Sequence, residues 1–256
     1  VFKGEIGGGE VVQVGTGAPL PKGANAVVMF EFTRSLEDGK IEIYQPVTPG
    51  ENVARKGEDY KAGERVLPKG LILQPQDVAA LAALGLREVK VKAKPKVAIL
   101  SVGRELVEPG SEVGPGQIYD ANRYFLKAAL AKLGCEVLDL GIASDHPKEI
   151  KAKILGALGE ADLLITAGGT SAGSSDLTLE ALSGIEGFHL IFHGVSIRPG
   201  RPLASATING KPIIMLPGYP AAAILTFQVF VEPVIGWMLE AELPAELKVW
   251  GRLCLL

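Results

Sequence analysis

From residue 96 to residue 239 the chain alternates two hydrophobic patterns. Runs of branched apolar residues predict buried strands: KVAILSVG (96–103), CEVLDLGIAS (135–144), DLLITAGG (162–169), FHLIFHGVSI (188–197) and KPIIMLP (211–217). Apolar residues at helical spacing predict helices over YDANRYFLKAALAKLG (119–134), which stops on Gly134, over HPKEIKAKILGALGEA (146–161) and over SDLTLEALSG (175–184). YPAAAILTFQVFVEPVIGWML (219–239) reads as one long apolar helix. Apolar strands alternating with amphipathic helices predict an α/β domain over 95–240, built on a doubly wound, mostly parallel sheet. In such sheets ligands bind at the carboxyl ends of the strands.

The preceding part has a different pattern. VVQVG (11–15), AVVMFEF (26–32) and KIEIYQPV (40–47) are short runs separated by Gly/Pro turns, and they predict a β-rich domain over 1–64. Residues 65–94 read as a linking segment with one helix, PQDVAALAAL (75–84), stopped by Gly85. The last residues, LKVWGRLCLL (247–256), predict a strand opening a C-terminal β domain over 241–256.

Composition narrows the picture only modestly. A chain of 256 residues, 47% hydrophobic and 21% charged, can bury a real core. A net charge of −3 gives no reason to expect nucleic-acid binding. Cys135 and Cys254 are far apart and form no CxxC pattern, which fits a reducing cytoplasm. No apolar run is expected to be long enough to cross a bilayer, and VFKGEIGGGE lacks the apolar core of a secretory signal. The chain opens on Val1 rather than Met, which suggests a piece of a longer protein.

Four loops at predicted strand ends carry candidate chemistry. DLLITAGGTSAGSSD (162–176) passes from a strand through a glycine-bearing loop to a helix start beside Asp176. Glycines allow close backbone approach, and free helix N–H groups attract anions, so a phosphorylated ligand fits; an ordinary glycine-rich turn fits equally. SVGRELVEPG (101–110) brings Arg104 and Glu105, and GQIYDANR (116–123) brings Asp120, Asn122 and Arg123. Asp120 could be a ligand or an N-cap, and Asp145-His146-Pro147 also stands where a cap belongs. SIRPGRP (196–202) holds Arg198 and Arg201 in a Pro-Gly turn suited to an oxyanion. Arginines with carboxylates suggest an anionic ligand bridged by Mg²⁺. His189 and His193 would share one face of a strand, an arrangement more consistent with structure than with a metal pair.

The order of the motifs is more specific than any one of them. GTGAPLPKGANAVVM (15–29), GENVARKGEDY (50–60), KVAILSVGREL, GQIYDANRYFL, LGCEVLDLGIASD, DLLITAGGTSAGSSD, IRPGRP and LPGYP follow in sequence. The whole chain closely resembles the molybdopterin molybdenumtransferases, the family that includes the E domain of gephyrin. That resemblance implies the molybdopterin-binding fold and a cytoplasmic homodimer that inserts molybdate or tungstate into adenylylated molybdopterin, releasing AMP with Mg²⁺. The molybdopterin adenylyltransferase is an implied partner. Carried over by position, Glu105, Asp145, Asp176, Arg198 and Arg201 are implied catalytic residues, with Glu105 and Asp176 on the metal. Gly168, Gly169, Ser171 and Gly173 would cradle the pterin phosphate, joined by Asp120 and Asn122. Thr16 and Asp59 match family positions facing the cleft.

The chain departs from the family in places. GREL replaces the usual GDEL, Gly194 replaces a lysine, the RPGRP arginines replace two lysines, PGYPAA replaces PGNPVS, and His146 replaces an Asp. Arg104 is expected to supply the positive charge missing at Gly194. Relative to the family, an N-terminal segment and most of a C-terminal β domain are absent. The departures leave open a non-catalytic or altered-specificity molybdopterin-binding paralogue. The long 15–29 and 50–60 motifs disfavour a relative confined to the shared fold, such as the adenylyltransferase.

Overall fold

The apolar run at Lys96–Val102 becomes strand β3, buried at every residue but the first, and Leu163–Gly168 becomes β7, buried throughout. Burial on both faces is what a central parallel strand requires. The structure is a computed structural model and describes residues 2, 4–170 and 176–241. The chain forms two units, Val1–Pro68 and Lys69–Leu256.

In the first unit a 3₁₀ turn at Phe30–Phe32 leads into β1 (Thr33–Ser35), which pairs antiparallel with β2 (Ile41–Ile43). Strand structure is shorter here than the sequence suggests. VVQVG forms none, and of AVVMFEF the last three residues turn instead. Such runs become strands only where a partner completes the ladder, and these residues have none among the described residues.

In the second unit, helix α1 (Pro75–Ala83) starts on a carboxylate of Asp77 that accepts from the Gln74 N–H at 2.8 Å. It ends at Gly85, with φ +78°. A six-stranded sheet follows. Besides β3 and β7 it contains β6 (Glu136–Ala143), β8 (Phe188–His193), β9 (Ala204–Ile208) and β10 (Lys211–Leu216). Their order is β6-β3-β7-β10-β9-β8. β6, β3, β7 and β10 run parallel, and β9 runs against both β10 and β8. A two-residue ribbon, β4 (Leu106–Val107) with β5 (Ile118–Tyr119), stands apart from it.

Helices cover both faces. Ala98, Leu100 and Val102 face Ile150 and Ile154 of α3 (Pro147–Leu158) and Leu182 of α4 (Leu177–Ser183). Val97 and Ile99 face Leu126 and Leu130 of α2 (Asn122–Lys132) and the stripe Phe227, Val231 and Ile235. That stripe belongs to the run foreseen as one helix. It forms α5 (Pro220–Thr226), a π turn at Phe227–Val231 and α6 (Glu232–Leu239). Pro233 has no N–H to give the preceding turn, which accounts for the irregularity. Residues 220–239 are long and apolar enough to cross a membrane by length and composition, contrary to the sequence expectation. Here the stripe packs on the sheet.

Strand β9 was not foreseen. Its small residues ASATI hide the alternation, but Asn209-Gly210, with φ of +50° and +80°, is a tight hairpin turn joining it to β10. A bulge between Leu190 and Phe192 also changes β8. His189 pairs with Thr207 and His193 with Ala204, so the two histidines lie on opposite faces rather than one.

The Thr166 hydroxyl in β7 is buried with no hydrogen-bond partner among the described residues. An unsatisfied buried hydroxyl is costly, so Thr166→Val, which keeps the shape, should stabilise the protein by about 1 kcal/mol. A thermal melt should rise by about 2–4 °C.

Candidate functional site

The strand directions place four loops at one edge of the sheet. β3, β6, β7, β10 and β8 all end there. The chain leaves β3 for β6 on one side and then returns to β7 on the other, so the topology switches between β3 and β7. The crevice at such a switch is where open α/β sheets bind ligands.

The floor of that crevice is a seam of glycines. Gly168 has φ +89°, and a Cβ there would overlap the Val102 carbonyl oxygen. A Cβ on Gly169 would overlap Val102 and the Thr178 hydroxyl. Gly218, in the loop after β10, would bring a Cβ to 3.2 Å from the Gly168 Cα. Side chains fix the surrounding turns. Asn122 Nδ2 donates to the Gly218 carbonyl at 2.8 Å, and Thr170 Oγ1 to the Leu216 carbonyl at 3.1 Å. Three strand ends are therefore held so close that backbone, not side chain, lines the crevice. Ser171 and Gly173 lie outside the described residues.

Asp176 caps α4: its Oδ1 accepts from the Leu179 N–H at 2.9 Å. Its side chain is 7% exposed, and Oδ2 is buried with no hydrogen-bond partner among the described residues. His193 Nε2 stands 3.1 Å from Oδ2, within ion-pair reach but off hydrogen-bond alignment. Burial pushes the Asp176 carboxyl up, while the Leu179 N–H and His193 act against it. Sequence reading set His193 aside; its position as the last residue of β8 was the available signal.

The arginine turn follows β8. The Val195 N–H donates to the Arg201 carbonyl at 2.9 Å, and Gly194 N–H to Leu203 at 2.8 Å. The Arg198–Pro199 bond is cis. Gly200, at φ +124°, lies so close to α5 that a Cβ would sit 2.7 Å from Thr226 Cγ2. The backbone is thus anchored while Arg198 and Arg201 are exposed, and neither forms an ion pair among the described residues.

The other acidic positions fall at β3, β6 and α2. The Glu105 carboxylate lies against Gly103, and its carbonyl accepts from Ile118 N–H at 2.8 Å. Asp145 does not cap α3. Its Oδ2 is 3.8 Å from Arg104 Nε, while Glu149 folds back onto Ser144. Arg104 is turned toward Asp145, on the β6 side of β3 and away from Gly194 at the end of β8. β3 and β8 are four strand spacings apart in the sheet, about 19 Å. Asp120 is 1% exposed and engaged with Arg123, accepting from its backbone N–H at 3.1 Å and its Nε at 3.0 Å. Among the described residues no three acidic, histidine or cysteine side chains gather as a metal cage. Thr16 and Asp59 are exposed residues of the first unit.

A doubly wound sheet with a glycine-floored crevice at its switch point and exposed arginines on the same edge has the form of an α/β ligand-binding domain. The chain belongs to the family described as probable molybdopterin binding domain, which matches residues 98–237. Residues 1–85 match the MoeA N-terminal region, domain I and II. A molybdopterin molybdenumtransferase from Haemophilus influenzae is 40% identical over 235 residues, covering 92% of this chain and 58% of that protein. One from Nostoc sp. is 36% identical over 267 residues, covering 96% of this chain and 61% of that protein. The crystal structure of the molybdopterin biosynthesis MoeA protein from Pyrococcus horikoshii matches with a TM-score of 0.72 at 39% identity. It covers 93% of this chain, which spans 59% of that one. The chain thus spans about three-fifths of the length of these relatives.

Proposed function

We propose that this chain carries the substrate-binding part of a transferase that inserts molybdate or tungstate into adenylylated molybdopterin and releases AMP. The observation that carries this reading is the presence, at one carboxyl edge, of both the glycine seam and the two exposed arginines. The names of the relatives support it. Gly168 and Gly169, with Ser171 and Gly173 of the same loop, take the pterin phosphate through backbone groups. Arg198 and Arg201 bind the oxyanion and offset the negative charge that builds up when it meets the pyrophosphate. As planar forks they hold an oxyanion by paired hydrogen bonds, which the family's lysines cannot do. Asp120 and Asn122 serve the crevice by fixing α2 and the Gly218 turn.

Mg²⁺ fits the donors present. Asp176 Oδ2, which accepts no hydrogen bond among the described residues, and the Glu105 carboxylate are hard oxygens, and Mg²⁺ takes a few carboxylates and completes its shell from ligand phosphates and water. When bound it would supply charge neutralisation at the nucleotide phosphates. Asp145 orients those phosphates. His193 restrains Asp176 beside the arginine turn. Thr16 and Asp59 are assigned to the ligand by resemblance. The working form is a cytoplasmic homodimer fed by the molybdopterin adenylyltransferase.

The test is incubation of the full-length protein with adenylylated molybdopterin, Mg²⁺ and molybdate or tungstate, read as AMP release. Release that depends on the oxyanion supports the transferase. Tight ligand binding without release supports the non-catalytic paralogue instead. Arg201→Ala should raise the half-saturating molybdate concentration about tenfold, the effect of losing one charge-assisted contact. An unchanged molybdate dependence would remove Arg201 from the site.

A further inference from the structure

The segment carrying Glu105 is a weak structure by itself. Between Gly103 and Asp120 the ribbon of β4 and β5 pairs only two residues with two. Its frame is Ile118 N–H to Glu105 at 2.8 Å and Asp120 N–H to Val107 at 3.0 Å. Two such short strands do not hold a position in water without support. Only Leu106 and Val107 separate Glu105 from Glu108, so whatever fixes Glu108 fixes Glu105.

Arg123 provides the support. Its side chain is 6% exposed, and the guanidinium reaches three elements. Nε donates to Asp120 at 3.0 Å, at the end of the ribbon. Nη1 donates to both oxygens of Asp139 in β6, at 2.8 and 2.7 Å. Nη2 donates to both oxygens of Glu108, which the Tyr124 hydroxyl also approaches at 3.2 Å. Asp139 sits within a strand of the main sheet and is held a second time by Lys127 Nζ at 2.8 Å. The sheet thus anchors Arg123, and Arg123 anchors the ribbon at the carboxyl ends of both its strands, through Glu108 after β4 and Asp120 after β5. Lysine could not do this, since one ammonium cannot satisfy three carboxylates in a fixed fork.

We propose that Arg123 and Glu108 are positioning residues that hold the 103–120 ribbon, and with it Glu105, at the switch-point crevice. The assignment of Glu105 to the ligand rests on the transferase reading; the mechanical role of the clamp does not. Glu108 is 49% exposed on its side chain, so its removal leaves the core intact.

The test uses the full-length protein and two variants. Glu108→Ala removes the clamp, and Glu108→Gln keeps an acceptor for Nη2. In Glu108→Ala the Ile118 and Asp120 amides should exchange hydrogen about tenfold faster, as the charge-assisted contact with Arg123 is lost, while amides of β3 and β7 keep their protection. Glu108→Gln should recover most of that protection. In the AMP-release assay, kcat of Glu108→Ala should fall about tenfold with little change in KM for adenylylated molybdopterin, and Glu108→Gln should restore it. Unchanged ribbon exchange would overturn the clamp. Faster exchange with unchanged kcat would overturn its positioning of Glu105. If the parent protein releases no AMP, the transferase reading fails, and the exchange experiment still decides the clamp.

Discussion

Gly168→Ala is expected to destabilise the second unit by about 3 kcal/mol or more, and Gly210→Ala by only about 1 kcal/mol. Both glycines sit at similar positive φ, +89° and +80°. An L-residue in that conformation costs about 1–2 kcal/mol. Their surroundings differ. Among the described residues nothing lies within 4 Å of a Cβ on Gly210, whereas a Cβ on Gly168 overlaps the Val102 carbonyl oxygen. That oxygen belongs to the backbone of a central strand, so relief requires parting β3 from β7. Forcing atoms into a packed interior typically adds about 1–3 kcal/mol. Urea denaturation of both variants gives the comparison, and the difference between them isolates the steric part. Equal destabilisation would mean that the crevice floor is not packed as tightly as the backbone geometry requires. The consequence for binding is separate from stability: parting the strands would move Gly169 and Gly218 too, so the Gly168→Ala variant should lose ligand affinity even where it remains folded.

This seam was only half legible in the sequence. DLLITAGG announces a strand that ends in glycines, and the alternation of strands and helices announces the edge where it ends. That Gly168 must clear Val102, or that Gly218 must clear Gly168, is a relation between segments far apart in the chain, and no local pattern contains it. The same holds for the polar residues. Asp120 before a helix reads as a cap or a ligand. Its engagement with Arg123 follows from burial, which neighbouring residues do not reveal. Asp139 interrupts an apolar strand, and an acidic residue inside CEVLDLGIAS is the one local sign of a buried ion pair there. Arg104 shows the opposite failure. Charge balance suggested that it serves the arginine turn, and only the strand order shows that the two lie toward opposite sides of the sheet. Asn209-Gly210 was legible and overlooked, because the small residues of β9 gave no hydrophobic signal on which to rest a hairpin.

Arg123→Leu should destabilise the protein by about 3–5 kcal/mol at neutral pH. The substitution leaves carboxylates in a low-exposure site without their common counter-charge, and breaking a buried pair costs more than the pair itself contributes. Asp120, at 1% exposure, loses its only ion pair among the described residues, and Asp139 retains Lys127. The pH dependence distinguishes this cause from lost packing. Burial alone would push the Asp139 carboxyl up. Hydrogen bonds from Arg123, Lys127 and the Gly141 N–H outweigh it and hold the group down to about 2. A carboxyl whose folded pKa lies below its unfolded value of about 3.9 contributes stability that is present above that unfolded value. It is lost as pH falls toward 2. In the parent protein, therefore, part of the stability should disappear between about pH 4 and pH 2, and in Arg123→Leu that part is smaller from the start. The gap between the two proteins should be widest at neutral pH and should narrow through the same interval. Urea midpoints measured at pH 7, 4 and 3 would show it. A gap independent of pH would identify Arg123 as a packing residue whose alkyl stem, not its charge, matters. A narrowing gap would assign the stabilisation to the charges that join the ribbon, α2 and β6.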